Sequence, residues 1–298
     1  MKPNFFTSTT KQQNIPKLVI FDMDNTIAYR EHHFSSAMKS TLEHFFPSTS
    51  VTAENLHDTF FGKSITQCWE YIENHFLNAE QNSSHLPISA VQKKYFAEVK
   101  KRDTAAAKEN KLFMTDCMNI MQSLHNNHIA ICIVSGSSRI EIEHIINLGK
   151  LPITQYWGAE DYAPYSKPSP EPYLRAFNFF QKQLHMKGVV LEKKDVIILE
   201  DSMAGTISAT AAGIRCIVRP HDKPQGKRIG QRCPNAKIVN TFSICDLHPQ
   251  RPKPLPSPIS RWHSIASGVV KSDADKSGHT PFPTVPITAV RPTKVPLQ

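Results

Sequence analysis

Residues 17–28 read KLVIFDMDNTIA. The run up to Phe21 is short, apolar and rich in β-branched residues, which is the pattern of a strand buried on both faces. Asp22, Met23, Asp24, Asn25 and Thr26 follow at its carboxyl end. Two carboxylates one residue apart at the end of a buried strand are expensive to desolvate. Two readings are open. One is a solvated turn, because Asp and Asn favour turns. The other is a nucleophilic carboxylate with an acid–base partner beside a divalent cation. The rest of the chain has to supply the remaining parts, in order, for the second to hold.

Outward from this stretch, residues 1–16 are polar and without period, and read as a flexible N-terminal arm ending at Pro16. From Glu31 the apolar residues recur at helical spacing. Phe34, Met38 and Leu42 mark a first helix stopped by Pro47, and Leu56 and Phe60 a second with Thr52 as N-cap. Ile65, Trp69, Ile72 and Phe76 share one face of a third, and Val91, Phe96 and Val99 lie on a fourth. Residues 31–110 are therefore expected to form an all-helical insertion. Strand and helix then alternate. Ile129–Val134 ends in SGSS (135–138), a loop carrying Lys167 opens a helix, and Asp195–Leu199 is followed by Glu200 and Asp201. Strands at Ile214–Val218 and Ala236–Val239 complete the series. The β-α-β rhythm with buried strands implies a Rossmann-like α/β core over 17–30 and 111–247, a parallel sheet with helices on both faces.

Composition bounds the partners. The net charge of +9 comes from two segments: 221–237 carries +4 and 249–298 carries +5, so the body is near neutral and no nucleic-acid partner is expected. Residues 221–237 read as a long basic loop. Ten of the last 50 residues are Pro, so 248–298 is expected to be a disordered, basic, Pro-rich tail. Its segment 251–258 could dock a protein partner with an aromatic groove, or the tail could be only a solvated end. The six cysteines show no zinc spacing, and several lie in apolar runs, as buried free thiols in a reducing compartment do. No signal peptide or membrane span is read, so a cytoplasmic protein is expected, with export by a route lacking such a signal left open.

In an open parallel sheet, chemistry collects at the carboxyl ends of the strands. Four ends or adjoining loops carry polar groups here: Asp22 and Asp24, Ser135, Lys167, then Glu200 and Asp201. On DMDNT (22–26), SGSS (135–138), KPSPEPY (167–173) and EDSMAG (200–205), residues 17–247 resemble the haloacid dehalogenase superfamily. The similarity is to the branch with a helical cap after the first strand, which includes phosphoglycolate phosphatase-like enzymes and β-phosphoglucomutase. The resemblance implies a Mg²⁺-dependent phosphatase acting on a small phosphorylated metabolite. Asp22 would attack phosphorus to give an aspartyl-phosphate. Asp24 would protonate the leaving oxygen and then activate water. Ser135 and Lys167 would bind the phosphate. Asp22, the Asp24 carbonyl and Asp201 would hold Mg²⁺, with Glu200 helping through water. A carboxylate at Asp24 disfavours dehalogenation, because the dehalogenases of the superfamily lack one there.

Tyr29 and Arg30 depart from the Asp-Ser usual in that branch, at the hinge into the cap. Lys63, in the loop 61–64, and Arg30 are candidate substrate contacts, although Lys63 could equally be a solvated lysine in a helix connection. Two alternatives stand beside the phosphatase: a phosphomutase of the same fold, and a binding protein acting through its Pro-rich tail.

Overall fold

A run of four apolar residues with both faces covered needs a neighbour on each edge to satisfy its backbone, and β1 (Leu18–Phe21) has one on each. The structure, a computed structural model, describes residues 15–47, 49–60, 65–77 and 86–247. The arm before residue 15, the loop 61–64 with Lys63, and the tail from 248 lie outside the described residues.

Among those residues the sheet has six parallel strands in the order β3-β2-β1-β4-β5-β6. They are β1, β2 (Ala130–Val134), β3 (Tyr156–Trp157), β4 (Val196–Glu200), β5 (Arg215–Val218) and β6 (Lys237–Ile238). The chain grows outward from β1 to one edge, then returns to build the other half from β4. The switch point thus falls between β1 and β4. Phe21 stands level with Ile133 of β2 and Leu199 of β4, so the residues that follow them emerge at one edge.

Alternate strand residues serve opposite faces. Val19, Phe21, Ile133, Ile197 and Leu199 pack with α5 (Thr115–Asn126) and α6 (Arg139–Gly149). Ile20, Cys132, Val134, Ile198 and Cys216 pack with α7 (Glu171–His185) and α8 (Met203–Ala211). This period of two, buried on both faces, is why the strands read as continuous apolar runs.

Between β1 and α5 lie α1 (Glu31–Phe45), α2 (Ala53–Phe60), α3 (Ile65–Ile72) and α4 (Ile88–Lys108). They share an apolar cluster of their own, with Met38, Leu42, Leu56, Ile72, Val91 and Val99 buried at its centre. The Thr52 hydroxyl accepts the Asn55 N–H at 3.1 Å, as an N-cap should. Trp69 packs edge-on against Tyr95, with ring centroids 5.1 Å apart.

One expectation is corrected. The segment read as a basic loop contains a helix, α9 (Lys223–Arg232). Asp222 caps it by accepting the Gln225 N–H, and Ile229 is its buried anchor. Lys223, Lys227, Arg228 and Arg232 are all exposed, so the charge is a solvated helix face. The six cysteines are free, five of them buried and Cys245 exposed. Among the described residues no helix is long and apolar enough to cross a membrane.

Candidate active site

Asp22 follows β1, and its N–H donates to the Leu199 carbonyl of β4 at 2.9 Å. That bond fixes the first motif beside the last, because β4 ends in Glu200. Lys167, from the loop before α7, joins them: its Nζ donates to Asp22 Oδ1 and to Glu200 Oε1, both at 2.7 Å. It also donates to the Val134 carbonyl at 3.2 Å, next to Ser135. Three of the four motifs therefore meet at one ammonium group.

Glu200 is fully buried and fully engaged. Oε1 accepts from Lys167 and from the Tyr173 hydroxyl at 2.7 Å. Oε2 accepts the Asp201 and Ser202 N–H groups and the Ser202 hydroxyl. Burial alone would push its carboxyl up, but Lys167 and these donors outweigh it and hold it below the usual range. The packing explains a glycine: a Cβ on Gly205 would lie 1.6 Å from Glu200 Oε1.

The neighbouring carboxylates are less compensated. Burial, opposed by Lys167 and reinforced by Glu200 and Asp24, pushes Asp22 up to about 7. Burial, with Glu200 and Asp22 beside it, pushes Asp201 well above the usual range. Lys167 moves the other way. Burial acts to lower it, yet Asp22 and Glu200 prevail and keep it firmly protonated. One carboxylate oxygen each from Asp22, Glu200 and Asp201 lies within 4.8 Å of the others. Three carboxylates around one lysine form an all-oxygen donor set with surplus negative charge, and this fits a hard divalent cation such as Mg²⁺. Glu200, whose oxygens are already engaged, fits an outer place in such a set better than a direct one.

Asp24 occupies a different setting. Its Oδ2 accepts from the Ser137 hydroxyl at 2.6 Å and from the Ser135 hydroxyl at 3.3 Å. Its Oδ1 accepts from Arg30 Nη1 at 2.6 Å. The turn that follows Asp24 is held by Asn25, which adopts a left-handed conformation at φ 55°. Asn tolerates that region because its side chain bonds locally, and here Asn25 Nδ2 donates to Glu31 at 3.0 Å.

The structure brings Asp22, Asp24, Ser135, Lys167, Glu200 and Asp201 to one edge. It does not leave Arg30 free to meet a substrate. The side chain is wholly buried and paired with Asp24, Asp103 and Glu141. Sequence reasoning missed two further supports. Ser137 sits inside the SGSS motif, so its bond to Asp24 had a local signal. Arg219 had none. From the end of β5 it grips Asp116 with Nη1 at 2.7 and 2.6 Å. Its Nη2 donates to the Asn25 and Thr26 carbonyls at 3.0 and 3.1 Å, clamping the turn after β1.

The chain belongs to the haloacid dehalogenase-like hydrolases: the model of that family matches residues 19–219. It is thus an enzyme of a hydrolase family. Solved structures with the same fold include a variant of CbbY from Rhodobacter sphaeroides in complex with xylulose-(1,5)bisphosphate. That structure is similar with a TM-score of 0.59 at 17% identity, over 76% of this chain and 95% of that one. CbbY in complex with phosphate gives a TM-score of 0.58, at the same identity and coverage. A HAD family hydrolase from Deinococcus radiodurans with bound phosphate and sodium gives 0.51 at 17% identity, over 78% of this chain and 94% of that one. No curated protein matches the chain.

Proposed function

We propose that the protein is a Mg²⁺-dependent phosphatase that hydrolyses a small phosphomonoester through an aspartyl-phosphate on Asp22. The observation that carries this reading is the division of labour between two aspartates one residue apart. Asp22 faces Lys167 and the other carboxylates, whereas Asp24 faces the Ser135 and Ser137 hydroxyls and Arg30. Environments that differ in this way are how two carboxyl groups take nucleophilic and acid–base roles at one site.

In this mechanism Asp22, Asp201 and the Asp24 carbonyl hold Mg²⁺, with Glu200 behind them, and the bound ion supplies charge neutralisation at the phosphate. Lys167 adds a fixed positive charge, and Ser135 donates to a phosphate oxygen. Asp22 attacks phosphorus while the ester P–O bond breaks, and Asp24 gives its proton to the leaving oxygen. Asp24 then takes a proton from a water whose oxygen attacks phosphorus; the Asp22 O–P bond breaks, and phosphate leaves with the Asp22 carboxylate restored. The helices of residues 31–110 serve as the cap over this edge of the core formed by 17–30 and 111–247. Sugar bisphosphate and phosphate in structures of the same fold support a small phosphorylated substrate. Five buried free thiols support a reducing, cytoplasmic compartment.

The test is phosphate release from a panel of alkyl and aryl phosphomonoesters with and without Mg²⁺. Asp22→Asn is expected to lower turnover by about 10³-fold or more, as loss of a nucleophile does. Release that survives in the variant overturns the role of Asp22. Transfer of the phosphoryl group within a sugar phosphate, in place of release, converts the reading to a mutase.

A further inference from the structure

Arg30 is an arginine with no exposed surface, on the short link between the catalytic turn and α1. A guanidinium taken out of water is costly to bury, and an apolar side chain could fill the same space without that cost. The molecule compensates it from three separate parts. Nη1 donates to Asp24 at 2.6 Å, Nε to Asp103 of α4 at 3.1 Å, and Nη2 to Glu141 of α6 at 3.4 Å. The Phe34 ring lies 4.9 Å from the guanidinium carbon.

Each of the two outer carboxylates is itself held. The second oxygen of Asp103 meets His33 Nδ1 at 2.7 Å. Glu141 accepts the Ser138 N–H at 3.1 Å and its hydroxyl at 2.8 Å, from the loop that also carries Ser135 and Ser137. Arg30 therefore stands in a rigid frame built from the helical insertion and the core, and it presents one N–H to the carboxylate that must move a proton. The planar fork makes these contacts in fixed directions, which a lysine ammonium cannot copy.

We propose that Arg30 is a positioning residue for Asp24, and that it takes its own place from Asp103 of the insertion, so that proton transfer at Asp24 depends on where α4 stands. This rests on the reading of Asp24 as the acid–base group. Its chemical content is narrow. As Asp22 attacks and the ester bond breaks, the Asp24 proton has to reach the leaving oxygen. An alkoxide needs that proton, and a nitrophenolate does not. A displaced Asp24 therefore harms alkyl esters selectively in this first step, which kcat/KM reads, while hydrolysis of the aspartyl-phosphate is common to both.

The experiment measures kcat and KM for p-nitrophenyl phosphate and for the alkyl phosphomonoester hydrolysed fastest by the wild type. Arg30→Met is expected to lower kcat/KM, which excludes the hydrolysis step common to both esters, about tenfold or more for the alkyl ester and less than about threefold for the aryl ester, a part of the 10²–10⁴-fold that acid–base catalysis supplies. Asp103→Asn, which keeps the guanidinium, shows the same selectivity with smaller size, and Arg30→Lys does not restore the alkyl rate. Adding Arg30→Met to Asp24→Asn produces no further loss, because both act on one step. Equal losses for the two esters, or additional loss in the double variant, overturn the proposal and leave Arg30 a structural residue. If Arg30→Met does not fold, Asp103→Asn and Arg30→Lys decide by the same selectivity. If Asp24→Asn itself fails to discriminate between the esters, it is the acid–base reading of Asp24 that falls.

Discussion

The edge shared by β1 and β4 is built from charge, and the four-helix insertion is built from apolar side chains. At the edge, one lysine and four further donors on Glu200 hold groups whose displacement leaves an unpaired buried charge. In the insertion, Ile72, Leu42 and Val91 hold the helices by contact area, which adapts to small shifts. Where the two regions meet, the contact is ionic again, through Arg30 and Asp103. A rigid charged edge keeps reacting groups in register. The insertion carries an apolar cluster of its own and is tied to that edge through Arg30 and Asp103.

The sharpest way to break this contrast is at Gly205. Gly205→Ala places a Cβ where Glu200 Oε1 now stands. It is expected to cost about 4 kcal/mol, combining overpacking with a disrupted buried ion pair. Urea denaturation checks the loss, and phosphate release should fall with it. The complementary change is Ile72→Ala, a fully buried residue in the insertion. It should cost about 3 kcal/mol. Hydrogen exchange should quicken through residues 31–108 while β1 and β4 stay protected; equal acceleration everywhere would mean that the two regions unfold as one.

The effect on pH dependence belongs to the edge alone. Burial raises Asp22 from 3.8 in the unfolded chain to about 7 in the folded one. Between those values the folded state binds the extra proton. Without divalent cation, stability should therefore fall as pH rises from about 4 to about 7. Urea midpoints in EDTA across that window should lose this contribution in Asp22→Asn. Mg²⁺, which favours the ionised carboxylate, should flatten the wild-type slope.

The site was legible where chemistry and strand ends coincide in the sequence. Phe21, Val134 and Leu199 close apolar runs, and the polar residues after them have nowhere to be except the carboxyl edge of the sheet. Asn25 could be read as a residue for a special turn, and its φ of 55° agrees. Arg30 was misread because its other partners are 73 and 111 positions away, and nothing local distinguishes an arginine aimed at substrate from one sealed among carboxylates. α9 was read as a loop because four exposed basic residues hide a helix whose apolar anchor is Ile229.

By itself the sequence determined the class of fold and pointed to six polar residues that the fold gathers at one edge of the sheet. Apolar periodicity and the order of polar residues at strand ends are local properties, set by the backbone's need to bury one kind of side chain and expose another. Only the tertiary structure decided the strand order with its switch between β1 and β4, the meeting of Asp22 and Glu200 at Lys167, and the frame around Arg30. These depend on which distant segments share a low-dielectric interior. There, a buried charge accepts whichever partner the packing delivers, and sequence distance carries no information about the choice.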